Sequence, residues 1–433
     1  MPTWAQQNAP KAADLAATPP MGWNSWNTFA CDIDESLIRE TADAIVASGM
    51  RDAGYTYVNI DDCWHGERDA DGFIQPDPER FPSGMRALAD YVHSLDLKLG
   101  IYSDAGTQTC AGRPGSQGYE YQDALQYARW GIDYLKYDWC NTEGRNAPEA
   151  YRTMRNALAA SGRDIFFSIC EWGDNQPWTW AKDIGHMWRT SGDIINCWDC
   201  VVSHGNWNSW GVMRILDMQV ERGLRVHAAP GHWNDPDMME VGNMPAPNED
   251  RAHFAMWAML HAPLIAGNDV RSMTEVTREI LTNQEVIALD QDPLGVEGFP
   301  HKRAGGVEVW FKPLADGDWA MAILNRNDDP RAVTFDWPEE HVEDAFSQNR
   351  PHFDQHTYAI RDLFRHADAG TTASPLAVTV PGRDVWMFTR ITFDARRMPM
   401  PDTPAPKLRR PPPLRSALFG DRGTLLEFTL LEC

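Results

Sequence analysis

The chain has 433 residues, a formal net charge of −23, and 43% hydrophobic and 23% charged residues. This length exceeds what one ordinary hydrophobic core needs, so it predicts a large domain with a smaller companion. No apolar run approaches the roughly 20 residues that a membrane span requires, which predicts a soluble protein without a membrane partner. The negative charge repels phosphate backbones, so nucleic acid is not an expected partner either.

The chain begins with residues 1–17, which are polar, rich in alanine and without hydrophobic periodicity, and which predict a flexible N-terminal lead. Over residues 18–297, short apolar segments that end in polar residues then alternate with amphipathic helices. Eight segments are candidate strands: Met21–Trp26, Tyr57–Asp61, Leu97–Ser103, Tyr134–Asp138, Phe166–Cys170, His186–Arg189, Arg225–Ala229 and Pro263–Gly267. This rhythm predicts an α/β fold, a (β/α)8 TIM barrel with its active site at the C-terminal ends of the strands.

Amphipathic helices are expected between these strands. The clearest is residues 35–48, which follows the acidic cap candidate Asp34 and stops at Gly49. Similar patterns predict helices over Arg86–Leu95, Tyr121–Trp130 and Glu149–Ala160.

After about Pro293 the pattern changes to short alternating runs separated by turn sequences, which predicts an antiparallel β-sandwich over residues 298–393. The clearest runs are Val307–Phe311, Trp319–Asn325, Ala332–Phe335 and Val385–Ile391. The remaining residues, 394–433, are rich in proline and basic side chains and predict a disordered tail.

Charged side chains follow the predicted strands one after another. They are Asp61, Asp62, Asp104, Lys136, Asp138, Glu171, Arg189, Asp193, Asp235 and Asp237. A single aspartate at a strand end is more simply a helix cap or a solvated turn. Its repetition on several strands of one barrel favours a catalytic site, because all these ends meet at one face.

Two of these acids suit the cleavage of a glycosidic bond, which requires one ionised carboxylate and one proton donor. Lys136 and Asp138 are two residues apart on a strand and share a face, so the ammonium group would favour the ionised aspartate. Asp193 lies in a loop, which suits an acid that later acts as a base. For Arg189, pairing with one of the acids and direct contact with a ligand both stay open.

Six ordered segments carry a close resemblance to glycoside hydrolase family 27. They are Met21–Trp26, Ile60–Trp64, Leu99–Asp104, Leu135–Cys140, Cys170–Gly173 and Trp233–Met238. The resemblance implies a retaining α-galactosidase that releases terminal α-linked D-galactose from oligosaccharides, galactomannan or glycoconjugates by double displacement, without cofactor or metal. It makes Asp138 the nucleophile and Asp193 the acid and base.

The resemblance also implies a set of sugar contacts. Asp61 and Asp62 would bind the 4- and 6-hydroxyls, Lys136 the 3- and 4-hydroxyls, and Glu171 with Arg189 the 2-hydroxyl. Aromatic and sulfur-containing walls would come from Trp26, Tyr102 and Met238, for which ordinary core packing is the alternative. The remaining residues expected at the substrate are Cys110, Cys140 and Asp237.

Related sugars are the nearest alternatives for the substrate. The carboxylate of Glu171 would clash with the acetyl group of N-acetylgalactosamine and accept a bond from a free hydroxyl. The short Asp61 and Asp62 leave room for the hydroxymethyl group that β-L-arabinopyranose lacks. An inactive sugar-binding protein is a remote alternative, because neither catalytic carboxylate is missing. A metal-dependent hydrolase would need histidines gathered at strand ends, where only His186, His227 and His232 are candidates.

The eight cysteines favour disulfides over a zinc site. By the resemblance, Cys31 pairs with Cys63 and Cys110 with Cys140, while Cys170 is expected to be a free buried thiol. For Cys197 and Cys200 both a bridge and reduced thiols stay open. Disulfides imply an oxidising compartment, so the chain is expected to be secreted or periplasmic although no signal peptide is visible. The partner is a galactoside, and the state is a monomer or a homodimer.

Overall fold

The computed structural model describes residues 13–393, and the predicted tail lies outside this range. Its N-terminal part contains a sheet of eight parallel strands: Met21–Asn24, Tyr57–Ile60, Lys98–Asp104, Tyr134–Asp138, Phe166–Ile169, Met187–Arg189, Trp233–Asp235 and Leu264–Ala266. Each of the first six strands neighbours the next in sequence, and the eighth pairs with the first. Met239 forms a parallel bridge with Ala266, which closes the sheet. The predicted barrel is confirmed.

The seventh strand differs from its prediction, because Arg225–Ala229 is not a strand. Leu224–Val226 forms a 3-10 turn there, and the Val226 side chain is largely exposed. The true strand, Trp233–Asp235, begins only after the turn at Gly231, which has a φ of 98°. A run of small and apolar residues looked like a buried strand, but it forms a turn in which Ala228 is buried, and the strand begins only at the later Trp233.

Helices surround the barrel strands. The α-helices are Trp26–Phe29, Glu35–Ala47, Met50–Ala53, Gly84–Ser94, Glu120–Trp130, Ala147–Ala160, Val212–Glu221, Pro247–Met259, Glu275–Leu281 and Gln284–Asp290. The side chain of Asp34 caps the second of them by accepting a 2.8 Å hydrogen bond from the Leu37 amide. Gly49 follows its end with a φ of 83°, a conformation that favours glycine. None of the helices between residues 13 and 393 combines the length and the apolar character that a bilayer span demands.

Apolar side chains fill the N-terminal end of the barrel. The rings of Tyr134 and Phe166 stack there with centroids 5.1 Å apart. Ala16 is fully buried against them in the 3-10 turn Ala13–Ala16, and its carbonyl accepts a 2.9 Å hydrogen bond from the Trp233 indole. The last residues of the predicted flexible lead are therefore packed, while residues 1–12 lie outside the described residues. With this end filled, the polar groups lie at the other end.

An antiparallel domain follows the barrel. Its six-stranded sheet has the order Phe299–Ala304, Val307–Pro313, Trp319–Asn325, Asp384–Phe393, Tyr358–Asp362 and Ala367–Thr371, and a second sheet pairs Arg331–Phe335 with Leu376–Val380. Phe311, Trp319, Phe335 and Trp337 belong to the buried core between them. Two antiparallel sheets around one core confirm the predicted β-sandwich.

Buried polar contacts join the barrel to this second domain. Arg251, on the helix Pro247–Met259, forms an ion pair with Asp384 at 2.5 Å. Lys312 is fully buried and donates to the Ala258 carbonyl at 2.8 Å, with His261 Nδ1 also 2.8 Å away. Burial lowers the pKa of Lys312 to about 8. The two domains therefore share an ordered interface rather than a flexible linker.

Candidate active site

A cavity of about 720 Å³ opens at the C-terminal ends of the barrel strands. Twelve of the thirteen residues expected at the catalytic and substrate site line it: Trp26, Asp61, Asp62, Tyr102, Cys110, Lys136, Asp138, Cys140, Arg189, Asp193, Asp237 and Met238. Glu171 is the exception. Residues that are up to 200 or more positions apart in the sequence, from Trp26 to Met238, thus meet at one face of the barrel, as its topology requires.

Asp138 ends the fourth barrel strand and lies on the cavity wall with 5% of its surface exposed. Its Oδ1 accepts a 2.9 Å hydrogen bond from the Trp139 amide. Burial raises the pKa of Asp138 to about 7; the positive charge of Lys136 acts in the opposite direction, and the negative charge of Asp193 raises it further. The pKa of this carboxyl group therefore lies close to neutral pH.

Lys136 lines the same cavity, but its hydrogen bond goes to a different acid from the one expected. Its Nζ donates to Asp61 Oδ2 at 2.8 Å, and the Asn24 side-chain amide donates to the same oxygen at 2.7 Å. Lys136 therefore influences Asp138 through its charge and not through a direct bond. The neighbouring negative charges raise the pKa of Lys136 despite its burial, so it stays protonated.

The two consecutive acids after the second strand are fixed by backbone groups. Asp61 Oδ1 accepts from the Asp62 amide at 2.9 Å, and Asp62 accepts from the amides of Cys63 at 2.6 Å and Ala111 at 2.9 Å. Cys63 has a φ of 78°, which is costly for a residue other than glycine. This turn holds both carboxylates in fixed positions on the cavity wall.

Asp193 differs from Asp138 in its access to solvent. Its side chain is 40% exposed and lies 3.1 Å from Arg189 Nη2. The backbone carbonyl of Asp193 accepts a 2.9 Å hydrogen bond from the Trp210 amide. Of the two candidate carboxylates in the cavity wall, Asp138 is therefore buried and Asp193 is exposed to solvent.

Arg189 joins Asp193 to Asp237. Its side chain is 3% exposed, and Nη2 lies 2.7 Å from Asp237 Oδ2. The same Asp237 oxygen accepts from the Ile194 amide at 2.9 Å, and Oδ1 accepts from the Met238 amide at 2.8 Å. Asp237 therefore ties the loop that carries Asp193 to the end of the seventh strand. Of the two possibilities for Arg189, the ion pair is present, and the residue also lines the cavity.

Glu171 does not line the cavity. It has no exposed surface, and its Oε2 accepts from the Asn175 backbone amide at 2.6 Å and from the Asn175 side chain at 2.7 Å. Trp172, which follows with a φ of 57°, lines the cavity instead. Glu171 is therefore buried next to the cavity without lining it, and its contact with the sugar stays a prediction.

Asp104 is another strand-end acid that does not line the cavity. It is fully buried and accepts from the amides of Gly106 at 2.6 Å and Cys140 at 2.9 Å. Burial, reinforced by the charge of Asp138, raises the pKa of Asp104 far above its usual value. Its hydrogen bonds support the loop that presents Cys140 to the cavity.

Three disulfides occur in the described residues, joining Cys31 to Cys63, Cys110 to Cys140 and Cys197 to Cys200. Cys170 is free and buried. Between residues 13 and 393 the one group with a metal-ligand arrangement is Asp104 with Cys110 and Cys140. Its two sulfurs are bonded to each other and so offer no thiolate to a metal.

The outer part of the cavity comes from residues that the sequence reasoning missed: Asn27, Ala111, Trp172, Asp174, Gly192, Asn206, Trp207, Asn208, Trp210, Met218 and Arg222. Most lie in loops after the fifth and sixth strands or in the hairpin formed by Val201–Ser203 and Asn208–Trp210. The sequence offered one indication that this segment contributes to a binding site. Residues 204–210 contain two tryptophans among glycine, asparagine and serine. Trp210 packs against the barrel core, but Trp207 lies in the loop of the hairpin and is exposed.

Two family models match the chain: residues 18–292 match the α-galactosidase A model, and residues 304–389 match the α-galactosidase C-terminal β-sandwich domain. The chain belongs to glycoside hydrolase family 27. A relative of this family 27 chain, α-galactosidase A of Cellvibrio japonicus (strain Ueda107), is 57% identical over 380 residues, which cover 88% of the chain and 93% of that protein. The α-galactosidase of Cyamopsis tetragonoloba is 45% identical, covering 86% of each.

Solved structures of other family members agree with this fold. α-Galactosidase I of Mortierella vinacea superposes with a TM-score of 0.79 at 37% identity, covering 88% of the family 27 chain described here and 98% of its own. The Saccharomyces cerevisiae α-galactosidase with raffinose gives a TM-score of 0.80 at 30% identity, covering 88% and 99%. A β-L-arabinopyranosidase of Geobacillus stearothermophilus, at 23% identity and a TM-score of 0.72, shares the fold alone.

Proposed function

We propose that this family 27 chain is a retaining α-galactosidase that releases terminal α-linked D-galactose from oligosaccharides, galactomannan or glycoconjugates. The α-galactosidases among its relatives, with identities up to 57%, support the hydrolysis of galactosides. The presence of two carboxylates in one cavity, Asp138 and Asp193, supports acid-base hydrolysis of a glycosidic bond and is the observation that carries the proposal. Retention is implied by the resemblance to family 27.

In the first step Asp193 donates a proton to the glycosidic oxygen while the carboxylate of Asp138 attacks the anomeric carbon. The bond to the leaving group breaks, and a galactosyl ester forms on Asp138. In the second step the carboxylate of Asp193 removes a proton from water, which attacks the same carbon and releases galactose and free Asp138. Two inversions restore the original configuration.

The environments of the two acids match these tasks. A nucleophile works best where water cannot compete with it, and Asp138 is buried. A group that exchanges protons twice per cycle needs contact with solvent, and the Asp193 side chain is 40% exposed. Lys136 lowers the pKa of Asp138 against the effect of burial, which increases the ionised fraction that can attack.

The galactose hydroxyls would bind the polar groups on the inner wall. We assign the 4- and 6-hydroxyls to Asp61 and Asp62, the 3- and 4-hydroxyls to Lys136, and the 2-hydroxyl to Arg189. Trp26, Tyr102 and Met238 would pack against the apolar surface of the ring. Glu171 would share the 2-hydroxyl with Arg189, as the resemblance implies, and the relatives support the preference for unsubstituted galactose.

We further propose that the enzyme works outside the cytoplasm, as a monomer or a homodimer. Three disulfides support this location, since such bonds persist in oxidising compartments. Side-by-side hydrolysis of aryl α-galactoside, α-N-acetylgalactosaminide and β-L-arabinopyranoside tests the sugar preference. The α-galactoside is expected to react fastest, and a faster reaction of either other substrate would contradict the assignment.

Azide rescue tests the two carboxylates separately. Asp138→Ala should reduce hydrolysis of an aryl α-galactoside with a good leaving group by roughly 10³-fold or more. Azide should then displace the phenolate directly and give β-galactosyl azide, with inverted configuration. In the matched variant Asp193→Ala, the ester on Asp138 still forms, so azide should give α-galactosyl azide. Normal activity of Asp138→Ala, or the same anomer from both variants, would refute the assignment.

A further inference from the structure

A hairpin beside the cavity carries an exposed tryptophan that the proposed catalytic mechanism does not use. Its strands are Val201–Ser203 and Asn208–Trp210, and Trp207 lies in the connection between them. The side chain of Trp207 lines the same cavity as Asp138 and Asp193, yet the residue is 48% exposed. Half of this large ring is therefore accessible to a ligand bound in the cavity.

Trp207 is held in one orientation. The His204 ring stacks on its indole with centroids 4.0 Å apart and planes tilted by 20°, which covers one face. His204 is itself positioned, because its Nε2 lies 2.9 Å from Ser209 Oγ and its amide donates to the Trp207 carbonyl at 2.9 Å. A ring fixed before binding loses less side-chain entropy when a ligand stacks on its open face.

The hairpin is joined directly to the proposed acid. The Trp210 amide donates to the Asp193 carbonyl at 2.9 Å, and the Ile195 amide donates to the Trp210 carbonyl at 3.0 Å. At Gly192 a Cβ atom would lie 3.0 Å from the Trp210 indole nitrogen, so the ring packs closely against the backbone beside Asp193. The position of Trp207 is therefore tied to the point where the glycosidic bond is cleaved.

The base of the hairpin is also fixed. The Cys197–Cys200 disulfide closes a short loop there, and Gly211 packs against it. A Cβ on Gly211 would come within 2.7 Å of Cys197 Sγ, so only glycine fits. The Gly211 amide donates to the Cys200 carbonyl at 2.9 Å, and the Val212 amide to the Cys197 carbonyl at 3.0 Å. The hairpin thus forms a rigid extension of the helix Val212–Glu221.

We infer that this hairpin is the binding subsite for the leaving group, with Trp207 stacking on the pyranose ring that carries the galactosyl unit. The inference rests on the proposed function. The cavity, about 720 Å³, falls in the range of roughly 300 to 1,000 Å³ typical of pockets for drug-sized ligands. Hydrogen-bonding side chains line the same cavity as Trp207, namely Asp174, Asn206, Asn208 and Arg222. An aromatic face and polar groups in one cavity suit a sugar.

Paired substrates test this inference. α-Galactosyl fluoride has no leaving-group ring, whereas raffinose carries the galactosyl unit on a pyranose. Trp207→Ala should lower the ratio of kcat/KM on raffinose to kcat/KM on the fluoride by roughly five- to tenfold, mostly through KM. Trp207→Phe keeps an aromatic face and should recover part of this loss. Tyr121→Ala removes an aromatic side chain that is 52% exposed on a barrel helix, and should leave the ratio at the wild-type value.

The outcomes separate the inference from the proposed function. If the wild-type protein hydrolyses neither substrate, the proposed function fails and this subsite fails with it. If the wild type hydrolyses both and Trp207→Ala keeps the wild-type ratio, the subsite alone is refuted. An equal loss on both substrates would likewise overturn it, because the hairpin would then act on Asp193 rather than on the leaving group.

Discussion

The pair of Arg189 with Asp237 offers the sharpest test of how the site is held together. Asp237→Asn keeps the shape of the side chain but replaces one acceptor oxygen by an NH2 group. In the native structure the two oxygens accept hydrogen bonds from the Ile194 and Met238 amides, and Oδ2 also forms an ion pair with Arg189 Nη2 at 2.7 Å. Arg189 forms ion pairs with Asp193 and Asp237. After the substitution only the pair with Asp193, at 3.1 Å, remains.

The magnitude follows from these contacts. Leaving a buried charge without any partner costs about 3 to 5 kcal/mol, and a hydrogen bond to a charged group contributes about 1.5 to 3 kcal/mol. Because Asp193 still compensates part of the Arg189 charge, the free energy of unfolding should fall by about 2 to 3 kcal/mol. The value of kcat should fall roughly tenfold or more, since the Ile194 amide loses its anchor and the neighbouring Asp193 moves.

Urea unfolding followed by tryptophan fluorescence measures the first effect, and hydrolysis of an aryl α-galactoside the second. Asp269→Asn is the matched control, because Asp269 also pairs with an arginine, Arg271 at 2.9 Å, but with 27% and 30% of the two side chains exposed. Such a pair contributes at most about 1 kcal/mol. Equal destabilisation by the two substitutions would refute the argument that burial makes the Asp237 pair important.

Two further predictions concern the inner wall. Lys136→Met removes the charge that lowers the pKa of Asp138, so this pKa should rise above about 7 and the acid limb of kcat/KM should move to higher pH by roughly one unit or more. Lys136→Arg keeps the charge and should keep the limb, and an unmoved limb in the methionine variant would contradict the reasoning. Replacing Cys110 and Cys140 together by serine opens a link between residues 30 apart and should lower the free energy of unfolding by about 3 to 4 kcal/mol. An unfolding midpoint equal to that of the wild type would count against this.

Local patterns in the sequence predicted the inner wall well. The spacing of Lys136 and Asp138 along one strand placed both on the cavity, because alternation along a strand is a local property of the backbone. The helix cap at Asp34 was predicted for the same reason, since a cap involves residues only three positions apart. The seventh strand was misplaced because turn residues, rather than a hydrophobic period, determine where it begins.

Local sequence patterns could not predict the contacts between segments that are distant in the sequence. The bond from Lys136 to Asp61 joins residues 75 positions apart, so its partner could not be read from spacing. Glu171 follows the fifth strand as the pattern requires, yet its complete burial and its hydrogen bonds to Asn175 depend on the turn that follows. The hairpin with Trp207 reaches the cavity only because its base pairs with the backbone of Asp193.

The sequence by itself determined the barrel, the sandwich and the identity of the two candidate carboxylates, because hydrophobic period and the order of motifs are properties of neighbouring residues. The tertiary structure alone decided how far water reaches Asp138 and Asp193, and which charges oppose the effect of burial on the Asp138 pKa. Solvent access and electrostatic fields depend on all the segments that surround a group in space. For that reason the different environments of the two acids become visible only in the folded chain.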